Sequence, residues 1–237
     1  MSAARSTDRI AAAIPAYQAA PTIGGVVRGV STVLPEVLVI DDGSTDATAE
    51  EAQRAGARVL TLPVNRGKGT ALAAAFADLF GRGFTGVVTL DADGQHLAGE
   101  IATLLAAAEP DADLVLGVRD HLFAGMSPLR RASNRLSSRA ISFAAGQRLE
   151  DIQTGFRFYS RRLIERVGFP AGRFEAESAV VVRAARAGFR VVTVPVRLGF
   201  ADGRTTSHYR PLIDSLRIAG AVTRARLEAR RWQTPSS

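Results

Sequence analysis

The stretch Val88-Thr89-Leu90-Asp91-Ala92-Asp93-Gly94-Gln95-His96 ends an apolar run in two carboxylates one residue apart, followed by an amide and an imidazole. A strand buried in a sheet has no reason to finish in closely spaced negative charge unless something positive meets it, and a hard divalent cation held by oxygen ligands is the usual partner. Asp91, Asp93 and Gly94 equally suit a turn that caps a following helix. The segment alone leaves both readings open. Either one puts the carboxyl end of a β-strand at these acids.

Apolar runs of the same kind recur. Residues 10–14, 37–40, 58–62, 86–90, 114–118, 156–159 and 191–196 read as strands, and residues 22–33, 45–55, 70–80, 100–108, 129–145 and 177–187 between them read as helices. Near-continuous apolar strands separated by helices predict an α/β fold with a mostly parallel central sheet covered by helices on both faces. In such sheets ligands bind at the carboxyl ends of the strands. Three of those ends carry distinctive polar groups: Pro15-Ala16-Tyr17, Asp41-Asp42-Gly43-Ser44 and Asp91-Ala92-Asp93. They line one crevice if their strands are neighbours.

The chain has 237 residues, ample length for one sizeable core. Residues 1–8 and 232–237 are expected to be disordered, 9–210 to form the domain, and 211–231 to form a basic amphipathic helix. The absence of cysteine excludes disulfides and thiolate metal sites. No window approaches the roughly 20 apolar residues that span a bilayer, and the start has no secretory core. The expectation is a soluble cytoplasmic chain, or one that touches the inner face of the cell membrane peripherally. The net charge of +7 comes almost wholly from arginine, since Lys68 is the only lysine, and the excess is compatible with anionic ligands. An aromatic content of 6% with no evident stacking platform argues against nucleic acid.

Asp41-Asp42-Gly43-Ser44-Thr45-Asp46 closes a strand and opens a helix. One acid can accept hydrogen bonds from a ribose or a nucleobase N–H, or the segment can be a plain helix cap with Asp46 in the first turn. Asn65-Arg66-Gly67-Lys68-Gly69-Thr70 is a glycine-rich turn before a helix, which suits an anion. It does not match the P-loop pattern, because Gly69 separates Lys68 from Thr70, and no strand runs into a G-x-G-x-x-G helix start.

These pieces, in this order, resemble the family-2 glycosyltransferases of the GT-A fold, in the branch of the dolichyl-phosphate mannose synthases and polyprenyl-phosphate glycosyltransferases. The resemblance runs from about Ile10 to Leu216 and rests on IPAYQAAPTI, VIDDGSTDAT, NRGKGTAL, LDADGQH, VLGVRD, DIQTGFRFYSR and FEAES, then the basic stretch 204–210. It implies that Pro15, Tyr17 and Asp42 hold the base and ribose of a nucleotide. It implies that Asp91 and Asp93 are the acid pair, with Asp93 and Gln95 as ligands of Mg²⁺ or Mn²⁺ beside the diphosphate. It further implies that Arg119 reaches the phosphates and that Arg204 and Arg210 close over the donor. One departure is Pro15-Ala16-Tyr17-Gln18-Ala19, where the usual carboxylate near the base is Ala19, which bears on base selectivity.

The activity so implied is inverting, metal-dependent transfer of a sugar from a GDP- or UDP-sugar to a polyprenyl (dolichyl or undecaprenyl) phosphate. The cation and the arginines would neutralise charge building on the leaving diphosphate. A lipid phosphate is already an anion and attacks unaided, whereas a hydroxyl acceptor needs a base; Asp151 sits where the resemblance places the base of hydroxyl-acceptor relatives, or is equally structural, hydrogen-bonded to its loop. Leu129-Arg130-Arg131-Ala132-Ser133-Asn134-Arg135 offers donors for an acceptor phosphate or a solvated basic face. Glu175, Glu177 and His208 are open between structural and catalytic roles, and His96 and His121 are expected in supporting or surface positions. The tail helix suits an anionic membrane surface, the sheet or a second subunit. A non-catalytic nucleotide-sugar binding protein is the remaining alternative.

Overall fold

β6 runs against every other strand of a single seven-stranded sheet, and that reversal decides what reaches the crevice. The computed structural model describes residues 9–108, 111–119, 138–139, 141–147, 154–173, 175–199 and 211–228. The strands are β1 (Ile10–Ala16), β2 (Glu36–Asp41), β3 (Arg58–Thr61), β4 (Gly86–Thr89), β5 (Leu114–Arg119), β6 (Arg157–Ser160) and β7 (Val191–Val196). Their order across the sheet is β3-β2-β1-β4-β6-β5-β7. β3, β2, β1 and β4 are mutually parallel, β5 and β7 are parallel, and β6 pairs antiparallel with both β4 and β5.

Alternate residues of the strands feed two cores, one per face. On one face Ala11, Ala13, Leu38, Ile40, Val87, Leu114, Leu116 and Tyr159 pack against α3 (Lys68–Gly81), α5 (Arg161–Val167), α6 (Glu175–Arg186), α7 (Pro211–Glu228) and the helical turns at 141–145. On the other, Ile10, Ala12, Ile14, Val37, Val39, Val88, Val115, Phe156 and Phe158 pack against α1 (Ala20–Ser31), α2 (Thr48–Arg54) and α4 (Ile101–Ala108). The expected mostly parallel sheet covered on both faces is the observed one. Burial on both faces is what makes the central strands β1, β2 and β4 near-continuously apolar.

The differences from expectation are local. β1 continues past Ile14 through Pro15 and Ala16, because β2 still pairs beside it there. α2 begins at Thr48, not Thr45, since residues 44–47 form a turn whose amides are held from outside the helix. α5 was not anticipated, although Ser160 caps it by accepting from the Leu163 amide at 3.2 Å. α7 lies against α6, burying Val222 and Ala225. Asp151, Arg204, Arg210, His121, His208, residues 129–135 and both expected disordered ends lie outside the described residues.

Tyr159 is fully buried, with its ring edge-on to Phe76 at 5.1 Å and its hydroxyl accepting from Arg157 Nη1 at 3.3 Å. Burial pushes its phenol up to about 12, and Arg157 offsets this only in part. The fold therefore holds this proton more tightly than the unfolded chain, where tyrosine titrates near 10, so stability falls as pH rises between those values. Denaturant unfolding measured at pH 9 and pH 11.5 is expected to show that Tyr159→Phe escapes about 2 kcal/mol of the alkaline loss seen in the wild type.

Candidate active site

β2, β1 and β4 are consecutive in the sheet, so their polar ends converge on one crevice. At the end of β1, Tyr17 is 41% exposed. Gln18 follows in a left-handed conformation, φ +52°, a strained choice for a residue with a Cβ. Its carboxamide oxygen accepts from the amides of Thr45 at 2.8 Å and Asp46 at 3.2 Å, and its own amide donates to Ser44 Oγ at 3.0 Å. These bonds satisfy the amides ahead of α2 that have no partner within the helix. Ala19, small and buried, lets its amide donate to Thr48 Oγ1 at 2.8 Å.

Asp42 is only 3% exposed, and its two oxygens accept from the backbone amides of Arg66 at 2.8 Å and Gly67 at 2.7 Å. Next to it Gly43 has φ +72°, and a Cβ there would lie 2.6 Å from the Val64 carbonyl carbon. Only glycine lets the 64–67 loop lie this close against the tip of β2. Together the pair fixes the loop by its backbone and delivers Lys68 as the first residue of α3.

The Lys68 ammonium sits between Asp91 Oδ1 at 2.6 Å and Glu177 Oε2 at 3.0 Å. Burial opposes its charge, but the two carboxylates more than offset this and hold the lysine protonated far above its ordinary range. Arg157, buried beside it, brings Nε within 3.7 Å of Glu177 Oε1 and donates to the carbonyls of Thr154 at 2.8 Å and Glu177 at 2.9 Å. Two acids thus meet two cations at the base of the crevice. Gly155 closes the cluster: a Cβ on it would fall 2.4 Å from Asp91 Oδ1 and 2.5 Å from Lys68 Nζ. Because β6 is antiparallel, it presents its beginning at the crevice. The Gly155 carbonyl there accepts from Thr89 Oγ1 of β4 at 2.8 Å.

The acid-pair loop is tethered on both sides. The Gln95 amide donates to Asp93 Oδ1 at 3.0 Å, and Thr22 of α1 donates to the Ala92 carbonyl at 2.7 Å. The Asp91 amide donates to His96 Nδ1 at 3.1 Å, which assigns the imidazole proton to Nε2. That ring stacks on Phe156 with centroids 5.2 Å apart. His96 also bridges Leu198, and the Gly199 amide donates to the Gln95 carbonyl at 2.9 Å, joining the loop to the chain leaving β7.

Pro15, Tyr17, Asp42, Asp91, Asp93 and Gln95 are therefore brought to one edge of the sheet. Arg119 ends β5 on that same edge, two strands from β4. Among the described residues no cation pairs with Asp93, whereas Asp91 is held by Lys68. Lys68, Arg157, Gly155 and Gln18 were not anticipated as site residues. One signal for Lys68 was present: it is the single lysine among 30 lysines and arginines, and a compact ammonium fits between two close carboxylates where a planar guanidinium does not.

Three outcomes follow from this packing. Gly155→Ala is expected to lose about 1–3 kcal/mol in chemical denaturation, since its methyl must displace the Asp91–Lys68 pair. Lys68→Met strands two carboxylates and is expected to cost roughly 3 kcal/mol. Lys68→Met combined with Glu177→Gln should then cost clearly less than the sum of the two single changes, and an additive double-mutant cycle would show that the cluster is not coupled.

Comparison with known proteins agrees with this geometry. Residues 12–168 match the family model described as "Glycosyl transferase family 2". The chain is 34% identical over 222 residues to glycosyltransferase AglJ of Haloferax volcanii, covering 91% of this chain and 70% of that protein. It is 32% identical to the polyprenol monophosphomannose synthase of Mycolicibacterium smegmatis, covering 81% and 78%. With the undecaprenyl-phosphate mannosyltransferase of Micrococcus luteus it shares 30% identity, covering 94% and 93%. Its fold superposes on glucosyl-3-phosphoglycerate synthase of Mycobacterium tuberculosis, crystallised with Mn²⁺, UDP and phosphoglyceric acid, with a TM-score of 0.71 at 22% identity, covering 99% of this chain and 82% of that one. The converging strand ends, the acid pair and these matches together make the chain a glycosyltransferase belonging to glycosyl transferase family 2.

Proposed function

We propose that the enzyme transfers a sugar, with inversion, from a GDP- or UDP-sugar to a polyprenyl phosphate, using Mg²⁺ or Mn²⁺. The observation that carries this reading is the unequal state of the acid pair: Asp91 is neutralised from below by Lys68, while Asp93 stands at the crevice without a cation among the described residues. Asp93 and Gln95 offer oxygen ligands of the kind hard cations take. Among the described residues no three acidic or imidazole groups converge on one point, which suits a cation completed by diphosphate oxygens and water. When bound there, the ion supplies charge stabilisation for the leaving diphosphate.

The chain's own groups do the rest. Tyr17, exposed at the end of β1, offers a ring face to the nucleobase. Asp42 positions the 64–67 loop beside it, and each of its oxygens keeps a second lone pair for the nucleoside. By the resemblance, Arg119, Arg204 and Arg210 are assigned to the phosphates. The acceptor class is supported by two of the relatives, whose names specify a polyprenol product and an undecaprenyl phosphate substrate. A phosphate acceptor needs no proton removed, so this reading requires no general base. An acceptor of this class also implies that the enzyme works at a membrane surface.

The test is transfer of labelled sugar from GDP- and UDP-sugars into an organic-extractable lipid, with and without Mn²⁺. Asp93→Ala is expected to lower turnover by at least about 100-fold. Transfer only to hydroxyl acceptors, abolished by Asp151→Asn, would replace the lipid-phosphate reading. Binding of nucleotide sugars without turnover would reduce the protein to a binder.

A further inference from the structure

Two large apolar side chains stand in solvent away from the crevice, and neither is explained by the transfer chemistry. Phe143, in the helical turns 141–145, is 74% exposed, and Leu227, near the end of α7, is 71% exposed. Isolated exposed apolar residues are ordinary, so the surroundings decide whether these mean anything. The guanidinium of Arg226 lies over the Phe143 ring at 4.7 Å, which ties α7 to the turns carrying Phe143. Arg139 is exposed one helical turn before Phe143, and Arg224 is exposed one turn before Leu227. Both helices are anchored from behind by Ile141, Ala144, Ala145, Val222 and Ala225 in the core.

The charge around this pair is one-sided. Residues 138–147 contain no acid, and the only acid in 220–228 is Glu228, whose carboxylate is turned to Arg183 at 2.9 Å. Beyond α7 the sequence continues Ala229-Arg230-Arg231-Trp232, adding two cations and the chain's only tryptophan. Exposed aromatic and aliphatic groups set among arginines suit a surface that is anionic outside and apolar just beneath, which is a leaflet containing acidic lipids. No described helix is long and apolar enough to cross a membrane, so contact of this kind would be peripheral.

We infer that the face formed by Arg139, Phe143, Arg224, Arg226 and Leu227 is the surface by which the protein docks on an anionic bilayer. Phe143 and Leu227 enter the headgroup boundary, and the arginines meet lipid phosphates. The inference deepens the lipid-phosphate reading above and rests on it for its purpose, but not for its test.

Co-sedimentation of the full chain with vesicles of phosphatidylglycerol and phosphatidylcholine, at low and high salt, is the direct measurement. The wild type is expected to bind the anionic vesicles, to bind pure phosphatidylcholine far less, and to release in high salt. Phe143→Ser with Leu227→Ser, and separately Arg226→Glu, should each weaken binding by roughly tenfold or more. Melting temperature should fall by no more than a few degrees in both, the loss of one exposed cation–π contact. Transfer assayed on detergent-dispersed polyprenyl phosphate should also hold, because none of these residues lies at the crevice. Equal vesicle binding by the variants, or none by the wild type, overturns the assignment even if lipid-phosphate transfer is found. A wild-type dimer that dissociates in Phe143→Ser with Leu227→Ser, in the absence of vesicles, overturns it in favour of an interface between copies. Patch-dependent vesicle binding by a protein that transfers nothing to lipid phosphate supports the docking face while removing the proposed acceptor.

Discussion

The architecture of the crevice depends on one ammonium group. Lys68 contacts a carboxylate from the end of β4 and another from the first turn of α6, and it lies against the backbone of Gly155 at the start of β6. Four segments distant in sequence are thereby held in one register. Desolvating an ion pair costs about as much as the pairing returns, so such a cluster adds little net stability. What it adds is definition, because each group has only one arrangement in which its charge is answered. Arg157 adds a second cation beside Glu177, 3.7 Å from its other oxygen.

The single antiparallel strand has a related consequence. A parallel strand in the place of β6 would present its far end at the crevice, carrying Ser160 and the start of α5. Running the other way, β6 places Thr154 and Gly155 beside Asp91 and sends Ser160 to the opposite edge, where its hydroxyl donates to buried Asp113 at 2.7 Å and accepts from the Leu163 amide. The floor of the site and the cap of α5 are thus two ends of the same short strand.

The central strands were legible because β1, β2 and β4 are apolar runs of strand length, buried on both faces and bounded by polar residues. The position of the crevice was legible for the same reason: it lies where three such runs end in polar residues. The direction of β6 was not, because Phe156 to Tyr159 reads the same whichever way the strand runs. Nor was the role of Lys68. In sequence it stands in a glycine-rich turn before a helix, a context that also suits a phosphate, and its two carboxylates come from residues 23 and 109 positions away. Gln18 shows the same limit, since its left-handed backbone and its capping of the 44–46 amides depend on β1 and β2 being neighbours.

The acid pair that first marks this chain is, in the folded protein, two residues with different environments. Asp91 is anchored: its carboxylate holds Lys68 and its amide donates to a histidine stacked on Phe156. Asp93 sits two residues further along, where the loop turns, with a backbone amide on one oxygen and no cation among the described residues. A single intervening residue is enough to separate their partners, since Asp91 is turned to Lys68 beside the start of β6 while Asp93 takes the Gln95 amide. Had both carboxylates lacked a cation of the protein's own, their mutual repulsion would have had to be met by the ligand alone. With Asp91 answered by Lys68, Asp93 is the member of the pair left to a cation, and the Gln95 amide that holds it is neutral and does not compete for its charge.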